Sequence, residues 1–206
     1  TEGDVWYNSS TSKLRMYASS GSWSSGGNLN TGRESYHGAG VSNSSAIVFG
    51  GAPGDKDECE SYDGSSWTEV GDLNTARKSS GSAGTTTAAL VMGGGSPDKN
   101  ESEEFNGTAW TEGNNLQTAG EYGSGNGIQT AALFVGVYGP GGATNTTQNY
   151  DGTTWSEVNN LSVTRYNAAP AQNSPSSNAL HVGGSGDNDA TEEWSFAASV
   201  ETVAFD

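Results

Sequence analysis

Three clusters of acidic residues are the first candidates for a functional site in this chain, because their carboxylates could bind a metal ion. They consist of Asp55, Asp57, Glu58 and Glu60; of Asp98, Glu101, Glu103 and Glu104; and of Asp187, Asp189, Glu192 and Glu193. Oxygen-only clusters suit Ca²⁺, which takes about six to eight oxygen ligands. The densest cluster, at Asp55, Asp57, Glu58 and Glu60, therefore predicts a calcium site, and Ca²⁺ is the one cofactor that the sequence suggests. The alternative is a set of solvated acidic loops that keep the protein soluble.

A recurring arginine is the second candidate. Arg33, Arg77 and Arg165 occupy one position of a repeated Leu-Asn-Thr-x-Arg element, and Gly120 stands at the fourth. Such an arginine either pairs with backbone and carboxylate groups of a neighbouring unit or belongs to a ring of donors that reaches a ligand. In the second interpretation the ligand-binding face contains Arg33, Arg77, Arg165, Asp55, Asp57, Asp187 and Asp189.

Catalytic motifs are not evident. The only histidines, His37 and His181, belong to different segments, and neither belongs to a metal or nucleophile motif. Cys59 is the only cysteine, so an internal disulfide framework is excluded. His181 lies in an apolar run and is expected to be a core residue. The sequence predicts a protein that is not an enzyme.

Composition limits the partners. The 206 residues carry 24 acidic and 8 basic side chains, a formal charge of −16. Binding to phosphates needs a basic surface, so nucleic acid and anionic membranes are not expected. No apolar run approaches the roughly 18 residues that cross a bilayer, so no membrane insertion is expected. Only 32% of residues are hydrophobic, which is compatible with disorder, but the regular aromatic spacing favours a folded chain with several thin cores.

Three sequence features, called marks here, recur along the chain in the same order: a tryptophan, a leucine and an apolar run. Tryptophans recur at intervals of 44, 43 and 45 residues, and leucines repeat the same intervals. Between them lies an apolar run that ends in glycine. The marks are Trp23, Trp67, Trp110 and Trp155; Leu29, Leu73, Leu116 and Leu161; and residues 45–51, 88–94, 131–137 and 178–184. Repeats of this length indicate one supersecondary unit each.

Each repeat predicts four strands, a to d. Strand a is rich in glycine and serine because neighbouring units crowd there, and strand b is the apolar run. Strand c ends at Tyr62, Phe105, Tyr150 or Trp194; strand d starts near Trp67, Trp110, Trp155 or Val200. An Asp-Gly or Asn-Gly turn joins c to d, since its glycine supplies the required positive φ. Further strands are predicted at Asp4–Asn8 and Lys13–Tyr17, and a third one at Trp23.

Such units bury their faces only by packing on one another. The sequence therefore predicts an all-β fold, a single β-propeller of five four-stranded blades over residues 1–206. The expected units are 1–24, as a partial blade, and 25–67, 68–110, 111–155 and 156–206. The acidic b–c loops and the Leu-Asn-Thr-x-Arg connections should share one face, opposite the Asp-Gly turns. An open solenoid is the alternative. In the propeller, Trp67, Trp110 and Trp155 are core residues rather than sugar-stacking surfaces.

Residues from about 24 to 200 resemble the kelch repeat through the double glycine, the Tyr before the turn and the Trp after it. The third unit departs from that pattern at Gly136-Val137. Residues 3–23, which contain GDVWYN and KLRMY, look like a hairpin of phage tail-fibre and virion surface proteins. These resemblances imply a kelch-like propeller on a virion surface or in an extracellular setting, which attaches to a surface glycan or partner protein through multivalent display or a homo-oligomer. An intracellular kelch-type interaction propeller is the alternative.

Overall fold

The computed structural model of the protein describes residues 5–16, 21–95, 97–171, 175–185 and 189–196. All regular secondary structure in these ranges is β, which confirms that the fold is all-β, as predicted. The described part of the chain has no helix of the length and apolar character needed to span a membrane.

The chain begins with a two-stranded antiparallel hairpin. Its strands are β1 (Val5–Asn8) and β2 (Lys13–Met16), with Val5 opposite Met16. The prediction that a third strand starts at Trp23 is wrong, since residues 21–29 form no strand and Trp23 is fully exposed. A strand needs a hydrogen-bonded neighbour, and no described strand pairs with this segment.

Three complete four-stranded antiparallel sheets follow, each with its strands in chain order. The first sheet contains β3 (His37–Ser42), β4 (Ser45–Phe49), β5 (Cys59–Tyr62) and β6 (Trp67–Val70). The second contains β7 (Gly81–Thr85), β8 (Ala88–Met92), β9 (Ser102–Phe105) and β10 (Trp110–Glu112). The third begins with β11 (Ser124–Ile128) and β12 (Ala131–Val135). A small loop hairpin, β13 (Tyr138–Gly139) and β14 (Gly142–Ala143), precedes its last strands, β15 (Thr147–Tyr150) and β16 (Trp155–Glu157).

A fourth sheet has three described strands. They are β17 (Ala169–Pro170), β18 (Asn178–Val182) and β19 (Thr191–Ser195), in that order. The predicted last strand, from Val200, lies outside the described residues.

The hairpin between the third and fourth strands forms as predicted in the first three sheets. Its turn glycines, Gly64, Gly107 and Gly152, have φ of +97°, +93° and +91°. The preceding side chain stabilises each turn: the Asp63 carboxylate, for example, accepts hydrogen bonds from the backbone N–H groups of Ser65 and Ser66, both at 2.8 Å. The aromatic residues flanking the turn are directly opposite partners, such as Tyr62 and Trp67, so their rings pack together across the hairpin.

The sheets contact one another through their first strands, β3 with β7, β7 with β11 and β11 with β17. Glycine is required where these strands approach most closely, because a Cβ at Gly125 would overlap the backbone of Ser82. The apolar cores lie between consecutive sheets: Phe49 of the first sheet and Trp110 of the second pack edge to face at 4.9 Å, and Trp110 is 5% exposed. Trp155 is equally buried, whereas Trp67 is only partly buried.

Candidate functional site

The candidate functional surface is the loop face, defined here as the loops between the second and third strands of each sheet and the connections between sheets. Backbone hydrogen bonds join these segments. In the first sheet the N–H of Arg77 donates to the carbonyl of Lys56 at 2.9 Å, and that of Leu73 donates to Asp57 at 2.9 Å. Leu116 and Leu161 donate to Asn100 and Asn145 in the same way. The loops are therefore held on the sheets and do not extend freely into solvent.

Arg77 is the centre of a buried network between the first and second sheets. Its Nη2 donates to the Glu103 carboxylate at 2.8 Å, and its Nη1 donates to the carbonyls of Gly93 and Glu101 at 2.8 and 2.9 Å. The same carboxylate accepts the backbone N–H groups of Asn74 and Thr75 at 2.7 and 3.1 Å. The Leu-Asn-Thr-x-Arg element is thereby fixed to the third strand of the next sheet. We call this arrangement the arginine–glutamate bridge.

The bridge recurs at two further places. Arg33 bonds to Glu60 at 2.6 Å, and Arg165 bonds to Glu192. Burial raises the pKa of the Glu60 carboxyl, but the N–H groups of Asn30 and Thr31 and the Arg33 guanidinium more than offset this, so that its pKa lies below the usual value. The Arg165 bridge is the weakest, since Glu192 is 24% exposed and the Arg165 Nε has no hydrogen-bond partner among the described residues.

The third sheet replaces the bridge with a neutral version. Gly120 takes the arginine position and Gln148 the glutamate position, and the Gln148 side-chain oxygen accepts the N–H groups of Gln117 and Thr118 at 2.7 and 3.2 Å. Val137 replaces the second glycine of the apolar run and is fully buried. A Cβ at Gly120 would lie 2.8 Å from the Val137 Cβ. Thus the valine fills the space that an arginine occupies in the other sheets.

The structure places the predicted arginines inside the protein. Arg77 and Arg165 have no exposed surface, and neither does the side chain of Arg33. Their donors are directed at carboxylates and carbonyls of the adjoining sheet, in agreement with the structural interpretation of the repeated arginine. A ligand on the loop face would contact other side chains first.

The predicted calcium ligands are separated by their bonding partners. Glu60 is bound to Arg33, Glu58 lies 3.6 Å from the Lys56 Nζ, and Asp55 lies 3.5 Å from Lys78. A second lysine, Lys99, approaches the other Asp55 oxygen at 3.0 Å. Among the described residues, no group of three or more His, Cys, Asp or Glu side chains is arranged to hold a metal ion. The carboxylates of this cluster that have partners are neutralised by cations of the protein.

Three further acidic residues were predicted on the ligand-binding face, Asp57, Asp187 and Asp189. Asp57 and Asp189 are exposed in loops of the first and fourth sheets. Asp187 lies outside the described residues.

His181 and Cys59 are buried, and His37 is partly buried. Burial lowers the pKa of both His37 and His181 to about 4, and the Arg165 charge adds to the effect at His181. Burial also raises the pKa of the Cys59 thiol to about 12. All three groups are therefore uncharged at neutral pH, which is the state expected of core residues.

A tyrosine patch on the loop face escaped the sequence analysis. Tyr122, Tyr138 and Tyr166 come from two connections and one loop. The Tyr166 ring contacts the other two: its centroid lies 6.0 Å from that of Tyr122, with the rings tilted by 43°, and 5.0 Å from that of Tyr138, edge to face at 62°. Tyr122 is 37% and Tyr138 42% exposed. The available signal was that these tyrosines break the repeat pattern: Tyr122 stands where Ser35 and Ser79 stand in the first two repeats.

The sequence matches no known protein-family model and no curated protein. The function of the chain has to be inferred from its own residues.

Proposed function

We propose that the protein is a non-catalytic binding or structural module, displayed on a phage virion or another extracellular surface, that attaches to a host glycan or partner protein through its loop face. The observation that carries the proposal is the construction of that face. Buried bridges and backbone hydrogen bonds fix its loops to the sheets, while aromatic and polar side chains remain exposed on it. Recognition sites are commonly built from loops on such a rigid scaffold.

The buried state of the titratable groups supports a binding role. His37 and His181 are neutral, and the Cys59 thiol is protonated at neutral pH. A neutral thiol is a poor nucleophile. Cys59 belongs to the apolar core between the first two sheets and His181 is buried, so the exposed chemistry of the loop face is that of recognition.

The proposal includes a closed, kelch-like propeller of five blades. A ladder of backbone hydrogen bonds supports a radial arrangement: Ser79 donates to Ser35 at 2.9 Å, Tyr122 to Ser79 at 2.7 Å and Asn167 to Tyr122 at 2.7 Å. All four residues have φ between +52° and +57°, as expected if each sheet repeats the same step about an axis. Within the described residues the ladder ends at Ser35 and Asn167, and a further blade would join these ends. A crystal structure with a solvent-filled gap between the first and fourth sheets would contradict this closure.

Single contacts to sugars are weak, and several linked copies gain affinity through effective concentration. Display on a virion or cell surface, or as a homo-oligomer, would supply these copies. The net charge of −16 makes nucleic acid an unfavourable partner.

Matched charge changes on the two faces test the proposal. Asp57→Asn and Asp189→Asn each remove one negative charge from an exposed residue of the loop face, and Ser65→Lys and Thr153→Lys make the same change of +1 at exposed hairpin turns on the opposite face. Binding of a tetramer-displayed protein to a panel of bacterial cells and immobilised glycans is measured for each variant. We expect the loop-face variants to alter binding and the turn-face variants to leave it unchanged. Loss of binding only in the turn-face pair, or no binding by the parent protein, would refute the assignment.

A further inference from the structure

The tyrosine patch is a group of three aromatic rings on the loop face in which the partly buried Tyr166 contacts both Tyr122 and Tyr138. Two of its three members carry exposed rings. No hydrogen bond among the described residues uses their hydroxyl groups. Neighbouring Asn167 is exposed and its side-chain amide can both donate and accept. The patch therefore offers ring surface together with polar groups at its edge.

The position of the patch is fixed by backbone pairing. Tyr138 and Glu121 exchange backbone hydrogen bonds at 2.8 and 3.0 Å, and Tyr166 and Ser185 form a similar bridge. Tyr122 is a step of the ladder described above, through which it is bonded to Ser79 and Asn167. Because three segments from two sheets are held in this way, the rings are positioned before a ligand arrives, which reduces the entropy cost of binding.

The charge distribution limits what the patch can bind. Every lysine and arginine between residues 21 and 196 lies within 3.6 Å of a carboxylate oxygen. The pairs are Arg33 with Glu60, Lys56 with Glu58, Arg77 with Glu103, Lys78 and Lys99 with Asp55, and Arg165 with Glu192. In the four sheets between residues 21 and 196 each described cation thus lies beside a carboxylate, although Lys78 and Lys99 share Asp55, and the acidic net charge repels an anionic ligand.

We infer that the tyrosine patch binds the ring face of an uncharged sugar, with the phenol hydroxyls and the Asn167 amide bonding to the sugar hydroxyls. The inference rests on the proposed function and names its ligand. One face of a pyranose presents polarised C–H groups, which are attracted to the electron-rich face of an aromatic ring. Sialic and uronic acids, which carry a carboxylate, are disfavoured by the absence of an unpaired cation among the described residues of this face.

A sugar suits the patch better than a protein surface does. Stable protein interfaces bury about 800 Å² on each partner and have a broad apolar centre. Three partly exposed rings set among loops rich in glycine, serine, threonine and asparagine provide much less apolar area. One or two sugar rings would cover them.

The test uses an array of neutral, amino and acidic glycans, probed with the full chain displayed as a tetramer. Tyr138→Ala removes an exposed ring of the patch. Tyr36→Ala is the matched control, because Tyr36 is 41% exposed and lies in an equivalent connection outside the patch. We expect binding to neutral glycans by the parent, a loss of about fivefold to tenfold in Tyr138→Ala, and little change in Tyr36→Ala. Tyr166→Phe, which keeps the ring, should bind more tightly than Tyr166→Ala, and thermal unfolding should confirm that each variant is folded.

The outcomes separate this inference from the proposed function. Neutral-glycan binding that survives both Tyr138→Ala and Tyr166→Ala overturns the site but leaves a glycan-binding module. Binding confined to acidic glycans overturns the ligand class. Attachment to cells or proteins without any glycan binding also overturns the inference while the binding function stands. Absence of binding to every surface would overturn both.

Discussion

A buried arginine destabilises a protein unless its donors find acceptors, because its charge loses contact with water. Arg77 meets this condition with a carboxylate and three carbonyls, those of Thr75, Gly93 and Glu101. Burial lowers the pKa of Arg77 and the Glu103 carboxylate opposes that shift, so the guanidinium stays charged. The planar guanidinium group of Arg77 donates to all four acceptors at once, which the ammonium group of a lysine cannot do.

Replacement of Arg77 by Ala should lower the free energy of unfolding by about 3–5 kcal/mol, the usual effect of removing one member of a buried ion pair. The Glu103 carboxylate would remain buried without its cation. Arg77→Lys should recover only part of the loss, since one ammonium cannot reach all the acceptors. Urea unfolding measures both effects, with the exposed Ser65→Ala as a control. A loss below about 1 kcal/mol in Arg77→Ala would mean that the pair is far more hydrated than its burial indicates.

The repeated marks of the sequence predicted the sheets closely because they report backbone requirements. The turn glycines and the aromatic residues around them define the ends of β5 and β6, β9 and β10, and β15 and β16. The arginine–glutamate bridge could be predicted only in outline, as an arginine paired with an adjoining unit. Its carboxylate partner lies about 26 residues further along the chain, within a strand whose acidic residues looked like a loop cluster.

The tyrosine patch could not have been predicted from the repeat. Its members occupy different positions in different units, so periodicity hides them and only the fold brings their rings together. The repeat spacing gives a wrong prediction at Trp23. This residue keeps the spacing of the other tryptophans of the repeat, but no neighbouring described strand covers it, and it is exposed.

At the scale of one sheet, Gly120, Val137 and Gln148 behave as a coordinated substitution for arginine, glycine and glutamate. The Gly120→Arg variant should be destabilised by about 3 kcal/mol or more, since the new side chain would compete with buried Val137 and lack a carboxylate partner. Adding Val137→Gly and Gln148→Glu supplies the space and the charge. The triple variant should therefore regain at least about 2 kcal/mol relative to Gly120→Arg.

Urea unfolding of the single, double and triple variants tests this coupling. The three positions should be strongly non-additive, as expected for residues that share one site. If Gly120→Arg is as stable as the parent, or if the triple variant is no better than the single one, the three residues do not form the unit inferred here. Arg77→Gly with Glu103→Gln provides a comparison in the second sheet, where Gly94 is left unchanged because its φ of +122° would strain a valine.

At the scale of the whole molecule, the arginine–glutamate bridges differ in how completely they are buried and hydrogen-bonded. The bridge of the fourth sheet is partly exposed and incompletely bonded, and His181 lies beside it. Both ring nitrogens of His181 lack hydrogen-bond partners within the described residues. The cavity next to it, of about 60 Å³, is lined in part by Asn160, Glu192 and Trp194. The aligned apolar runs have Val48, Val91 and Phe134 at this position, so His181 is the one that can acquire a charge.

The interface between the third and fourth sheets should therefore make stability depend on pH through His181. Its pKa is lowered from 6.5 to about 4 in the folded protein, so the unfolded chain binds more protons between these values. The contribution of the neutral imidazole is fully present above about pH 6.5, declines as the pH falls towards 4 and is constant below that. His181→Val removes this term, while His37 and the carboxylates remain in both proteins. The free energy of unfolding of the parent relative to His181→Val should thus fall by on the order of 2–3 kcal/mol between pH 7 and pH 4. Urea unfolding of both proteins across this pH range measures the difference directly. A difference in the free energy of unfolding that does not change with pH would show that His181 has an ordinary pKa in a hydrated site. The interface between the third and fourth sheets would then be open to water.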